Sequence, residues 1–130
     1  MSWEAWAPHL KQTQSGFEAA NECGIYSLQG DPWYSSNEQL SAKTIKDLRE
    51  MFSSTCDMSS VEFRETKYFK IRVDENIARF KHATKGGLVV GLGNECIIIA
   101  ECGTESSLLS NSVVSVEYVL TQLNNTQISQ

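Results

Sequence analysis

Gly93-Asn94-Glu95-Cys96-Ile97-Ile98-Ile99-Ala100-Glu101-Cys102 is the stretch that decides the architecture. Gly93-Asn94 is turn chemistry that closes a tight hairpin, and Cys96 to Cys102 reads as the strand that follows. Successive side chains of a strand point to opposite faces. Here both sets are apolar: Cys96, Ile98 and Ala100 on one face, Ile97 and Ile99 on the other. A strand apolar on both faces is central and covered on both sides. The sheet must therefore carry helices above and below.

Four further strand-like runs lie upstream: Val61–Phe63, Tyr68–Val73, Ile77–His82 and Leu88–Leu92. Asp74-Glu75-Asn76 and Lys85-Gly86-Gly87 supply turns between them. Earlier still, Cys23–Leu28 and Trp33-Tyr34 flank Gln29-Gly30-Asp31-Pro32, which predicts a hairpin with an aromatic pair just past its turn. Ser41 is placed to cap a helix through about Phe52. In it Ile45, Leu48, Met51 and Phe52 share one face, while Lys43, Lys46, Asp47, Arg49 and Glu50 face water. Residues 53–60 read as irregular, with one helical turn around Met58.

Beyond the central strand, Gly103 to Asn111 reads as a loop and Ser112 as the cap of a final helix. Val113, Val116, Leu120 and Leu123 form its buried stripe, with Val114 and Tyr118 on another face. Asn124 to Gln130 carries no pattern and is expected to be a flexible tail. At the other end, Ser2 is a candidate N-cap for a helix from Trp3 to about Gln14, ended by Ser15-Gly16. Trp3, Trp6 and Leu10 fall on one side of it. Pro8 interrupts the hydrogen-bond ladder, so a kink or a tight first turn is expected. Two indoles so close to a terminus are either the edge of a core or an exposed aromatic platform. The order of elements predicts one antiparallel α+β domain over residues 1–130.

Composition narrows the functional classes. The chain has 130 residues, enough for a core without metal or disulfide support. A net charge of −5 argues against a nucleic-acid binder and against strong attachment to anionic membranes. No apolar run approaches ~18 residues, and no signal-peptide pattern opens the chain. Cytoplasmic residence is expected, with Cys23, Cys56, Cys96 and Cys102 as reduced thiols. Their spacing matches no zinc pattern, so no metal and no cofactor are expected. Asn124-Asn125-Thr126 has the form of a glycosylation sequon but carries no meaning in the cytosol. His9 and His82 read as surface groups rather than bases. No nucleophile elbow or phosphate loop occurs, and Gly91-Leu92-Gly93 is too short and sits in a hairpin. No catalytic residue is assigned, and the chain is read as a non-enzyme.

The chain resembles the profilins. Ser2-Trp3-Glu4-Ala5-Trp6 resembles that family's N-terminal signature of serine, tryptophan and a later aromatic residue. Ile25-Tyr26-Ser27-Leu28-Gln29-Gly30-Asp31-Pro32-Trp33 resembles its first hairpin, and Lys67-Tyr68-Phe69-Lys70-Ile71-Arg72 its mid-chain strand. Gly86-Gly87, the strand Cys96–Ala100 and the terminal amphipathic helix follow in the family's order. The resemblance spans nearly the whole chain and lies in order and spacing rather than in any single motif. It implies a central antiparallel sheet with the terminal helices packed on one face and smaller helices on the other. It also implies a monomer with two binding surfaces, one for monomeric actin and one for proline-rich segments of actin polymerisation factors.

For the proline-rich surface, the resemblance implies Trp3, Trp6, Trp33 and Tyr118, with Leu123 or Leu120 as a further contact. The physics agrees. A polyproline II segment is already extended, so binding orders it little, and flat aromatic faces with indole donors suit its rings and free carbonyls. The family usually has tyrosine where Trp6 stands. Core packing is the competing reading for all three tryptophans. For actin, the resemblance implies Met58, Lys67, Arg72, Lys81 and the loop Thr104 to Ser112, including Ser106 and Asn111. Thr104-Glu105-Ser106-Ser107 and Ser112 replace the family's glycine-rich loop and basic residue, which implies altered or weak actin affinity. The family also hastens nucleotide exchange on actin and binds phosphoinositides. Lys67, Lys70, Arg72, Lys81 and Lys85 are candidates for the latter, against the acidic net charge. Two alternatives stay open: a proline-rich-peptide adaptor without actin binding, and a small-molecule sensor domain, which needs a cavity inside the sheet.

Overall fold

A computed structural model describes residues 3–127. Seven strands form one antiparallel sheet: β1 (Glu22–Ser27), β2 (Pro32–Ser35), β3 (Ser60–Phe63), β4 (Thr66–Val73), β5 (Ile77–His82), β6 (Gly86–Leu92) and β7 (Cys96–Cys102). Their spatial order is β2-β1-β7-β6-β5-β4-β3. The strand that decided the architecture, β7, is hydrogen-bonded on both sides, to β1 and to β6. Among the described residues three α-helices accompany the sheet: α1 (Ala7–Lys11), α2 (Ala42–Glu50) and α3 (Ser106–Gln127).

The alternation in β7 sorts two cores. Cys96, Ile98 and Ala100 pack with Leu10, Ile25, Val113, Val116 and Leu120 under the terminal helices. Ile97 and Ile99 pack with Ile45, Leu48, Phe63, Phe80 and Leu88 under α2. The terminal helices thus share one face, and α2 covers the other. The sheet curls around α2. Arg64, in the β3–β4 turn, reaches across to the β7 residue Glu101, with Nε and Nη2 donating to both carboxylate oxygens at 3.1–3.3 Å. Helix α3 sits close on β6 because glycines stand beneath it. A Cβ at Gly91 would meet Val116 at 2.5 Å and Leu120 at 2.8 Å.

Several boundaries differ from the sequence reading. The first helix is shorter: Trp3–Trp6 form a 3-10 turn, and α1 ends at Lys11. Pro8 occupies the second position of α1, where its missing N–H is not needed. This is the tight first turn that the proline demanded. Beyond α1, Thr13 closes a loop on Phe17 through its N–H and its side-chain oxygen, and Gly16 at φ +90 makes the turn. Met58 lies in irregular chain just before β3, with no helical turn around it.

The last helix is longer at both ends than expected. It starts at Ser106 rather than Ser112, whose side chain is fully buried. The reason is Leu109, which lies against Gly87 and extends the stripe Val113, Val116, Leu120, Leu123 by one turn. At the other end Asn124 is not frayed, because its Oδ1 accepts the backbone N–H of Asn94 at 3.1 Å. Ser2, expected as a cap, and residues 128–130 of the expected tail lie outside the described residues.

Candidate functional site

The site is built where the turn Trp3–Trp6 and helices α1 and α3 meet the first hairpin. Ser27 shapes that hairpin. Its Oγ accepts the N–H groups of Gln29 and Asp31, and its own N–H bonds Asp31 O at 2.8 Å. Gly30, at φ +103, makes the reversal and packs against Ala42. The turn delivers Trp33 on the edge strand β2, beside the first turn of the chain. Helix α1 is tied to α3 by Ser115, whose Oγ lies 3.1 Å from Leu10 O and 3.0 Å from Ser112 O. That clasp brings Tyr118, one turn further along α3, alongside α1.

Two aromatic arrays result. Trp3 stacks on Trp33 with ring centroids 4.6 Å apart and planes 24° from parallel. Trp6 meets His9 at 5.9 Å, and His9 meets Tyr118 at 5.8 Å. All five rings are half-buried, and Trp3, Trp6, Trp33 and Tyr118 pack on the core under the terminal helices. The tryptophans thus combine packing on the core edge with faces open to solvent. The first hairpin also carries Tyr34, whose hydroxyl is pushed above the ordinary tyrosine range, first by burial and then by nearby negative groups including Glu4 and Glu22.

Leu123 does not belong to this surface. It is 3% exposed and sits in the core with Leu120, because the stripe of α3 turns both under the helix. His9 is the residue that the sequence reading missed. Its signal was its place three residues after Trp6, which puts the two rings on one side of the helix.

The second surface lies on the sheet face that carries α3, where β4 and β5 emerge from under it. Register pairs Lys67 with Glu62, Phe69 with Lys81, and Arg72 with Arg79. Lys67, Arg72 and Lys81 are therefore brought to one exposed face. Between them stand Phe69 and Ile71, 54% and 52% exposed, and Lys67 Nζ lies 5.6 Å from the Phe69 ring. The sequence reading chose the cations and passed over these two apolar groups. Arg72 is not a free charge, since its Nε donates to Asp74 Oδ1 at 2.7 Å. Asn111, on α3, donates from Nδ2 to Glu18 O at 2.9 Å and so holds the loop after α1. Ser106 is exposed at the start of α3.

Met58 departs from this group. It packs against the core beneath α2, on the opposite face of the sheet. The candidate lipid-binding cluster divides in the same way: Lys70 pairs with Phe80, whose side chain belongs to the α2 face, so Lys70 points away from Lys67, Arg72 and Lys81. For a small-molecule sensor the space under α2 is the place to look, and Tyr26, Phe63, Phe80, Ile97 and Ile99 fill it. The clefts on this side, of about 360–440 Å³, lie at the surface and are lined largely by charged and hydroxyl groups. None of the four cysteines is in a disulfide. Among the described residues no group of three or more His, Cys, Asp or Glu side chains is placed to hold a metal ion, and no helix is long and apolar enough to cross a membrane.

Comparison with known proteins places this geometry. Residues 1–128 match the profilin family. No curated protein matches the chain by sequence. Among solved structures, the profilin of Schizosaccharomyces pombe superposes with a TM-score of 0.78 at 21% identity, over 96% of this chain and 98% of its own. LokiProfilin2, solved in complex with rabbit actin, gives 0.76 at 14% identity, over 96% and 98%. Mouse profilin IIa, solved with a double repeat from the FH1 domain of mDia1, gives 0.60 at 13% identity, over 94% and 99%.

Proposed function

The chain belongs to the profilin family, and from that premise we propose that it binds monomeric actin through one surface and proline-rich segments through another, and so regulates actin polymerisation in the cytoplasm. The observation that carries this reading is the gathering of Trp3, Trp6, Trp33 and Tyr118 at one place, each with part of its ring open to solvent. A polyproline II ligand offers pyrrolidine rings for such faces and free carbonyls for indole and phenol donors. The profilins solved with rabbit actin and with an FH1 repeat share the fold, which supports both partners.

Phe69 and Ile71, ringed by Lys67, Lys81 and Arg72, form the actin-facing patch in this reading. An apolar centre with a charged rim is how protein interfaces are commonly built. Ser106 and Asn111 extend it onto α3. One observation favours a second reading, an adaptor that keeps the proline-rich surface with little actin affinity: Arg72 is already neutralised by Asp74, and Met58 lies on the other side of the sheet. The test is a fluorescence titration of labelled monomeric actin, run beside a titration with an oligoproline. Binding of both ligands without mutual competition is expected. Oligoproline binding alone leaves the adaptor, and binding of neither removes both readings.

A further inference from the structure

Arg64 and Glu65 make the two-residue turn between β3 and β4, where Phe63 pairs with Thr66. Both have positive φ, +51 and +63, a conformation for which such turns ordinarily use asparagine, aspartate or glycine. A tertiary tie holds this strained turn. Arg64 donates from Nε and Nη2 to both carboxylate oxygens of Glu101 at 3.1–3.3 Å, and its guanidinium lies 5.3 Å from the centre of the Phe63 ring. The two side chains are only 22% and 18% exposed, unlike the freely solvated pairs that contribute little. The bridge also crosses the sheet. Glu101 stands on β7 and the turn leads into β4, three strands away, which a flat sheet would set about 14 Å apart. Side chains that stand off a flat sheet do not span that distance, so the bridge fixes the curl.

The curl orients the opposite face. Glu101 lies beside Leu88 on the α2 side of the sheet, whereas the patch of Phe69, Lys67 and Lys81 is on the other side. Helix α3 rides on β6 and β7, seated over Gly87 and Gly91, while Phe69 and Ile71 ride on β4. The angle between the β4 patch and the start of α3 is therefore the angle of β4 against β7. We propose that Arg64 and Glu101 are positioning residues of the actin-facing surface: their bridge holds Phe69 and Ile71 at the angle to Ser106 and Asn111 that one partner surface can cover. This rests on the actin reading above. Both residues act from the far side of the sheet, without touching the partner.

The experiment titrates labelled monomeric actin, and separately an oligoproline, with wild type, Arg64→Ala, Glu101→Ala and the double variant. Each single variant is expected to lower actin affinity about three- to tenfold while oligoproline affinity stays within about twofold of wild type. The double variant is expected to lose no more than either single one, because both remove the same bridge. Arg64→Lys and Glu101→Gln, which keep one contact of the pair, are expected to show the same selectivity with smaller losses, and they stand in where an alanine variant does not fold. Equal losses for both ligands, which a purely structural role produces, overturn the proposal. So does a loss confined to the Arg64 variants, which direct contact with actin produces, or losses that multiply in the double variant, or unchanged actin affinity throughout. If wild type itself does not bind actin, the underlying actin reading has failed instead.

Discussion

Trp3 lies face to face with Trp33, ring centroids 4.6 Å apart, so the first turn of the chain is held by the edge strand of the sheet. Neither indole is in the core proper. Each packs against it from outside. Removing one ring therefore strips its partner of a stacked face without opening the interior. Trp33→Ala is expected to lower stability by only about 1 kcal/mol, in the range of a single aromatic pair. It is expected to lower oligoproline affinity at least tenfold, as loss of a central aromatic contact does at other interfaces. Chemical denaturation and calorimetric titration on the same preparation separate the two effects.

Gly91 lies beneath α3, where a Cβ would meet Val116 and Leu120 inside van der Waals distance. Gly91→Ala is expected to destabilise the fold by about 1–3 kcal/mol through overpacking. Gly16, with open space around the Cβ position but φ +90, gives a contrasting control in which only backbone strain acts. Urea midpoints of the two variants check the comparison.

Ser41 caps α2, its Oγ accepting the N–H of Thr44 at 3.2 Å. Ser41→Ala is expected to reduce stability by about 1 kcal/mol, whereas Ser41→Asp retains most of it, measured in the same urea series.

Burial pushes the Cys23 thiol up to about 11 from 9.0, and Ser36 and Lys11 only partly oppose it. The folded state thus holds its proton over a range in which the unfolded chain releases it. This contribution is fully present below about pH 9 and is lost as pH rises toward 11, because the unfolded state then binds fewer protons. The loss amounts to roughly 3 kcal/mol across that window. Denaturation midpoints from pH 7 to 11 are expected to fall on the alkaline side, and to fall less in Cys23→Ala.

Asp74 neutralises Arg72 at 2.7 Å and lies 4.0 Å from Arg79. If this face meets an acidic partner, Asp74→Asn releases positive charge toward it. The association rate with monomeric actin is expected to rise about two- to threefold at low salt and to converge with wild type at high salt, as screened steering does. Stopped-flow association at two ionic strengths checks this.

Much of the fold was legible because burial writes itself into period. The two-sided apolar run at Cys96–Cys102 placed β7 at the sheet centre, and Ile45, Leu48 and Met51 marked the covered face of α2 correctly. Boundaries were less legible where a tertiary partner decides them. Leu109 reads as loop until Gly87 is seen beneath it, and Asn124 reads as tail until Asn94 donates to its side chain. At the site, the tryptophans stood out by type. His9 did not, since an isolated histidine gains significance only when Tyr118 arrives from more than a hundred residues away. Met58 and Lys70 lie on the other side of the sheet from Lys67, Arg72 and Lys81, because Met58 packs on the core beneath α2 and register sets Lys70 opposite Phe80.

The central claim is that the surface where the turn Trp3–Trp6, α1 and α3 meet the first hairpin binds proline-rich segments. Intrinsic tryptophan emission tests it most directly, because all three tryptophans lie, half-buried, on this surface. Titration of wild type with an oligoproline is expected to give a saturable change in emission. Trp3→Ala, still folding cooperatively with a melt lowered by only a few degrees, is expected to abolish it. No change in wild type, together with loss of folding in Trp3→Ala, would show that the tryptophans serve only to pack the chain ends and would contradict the account.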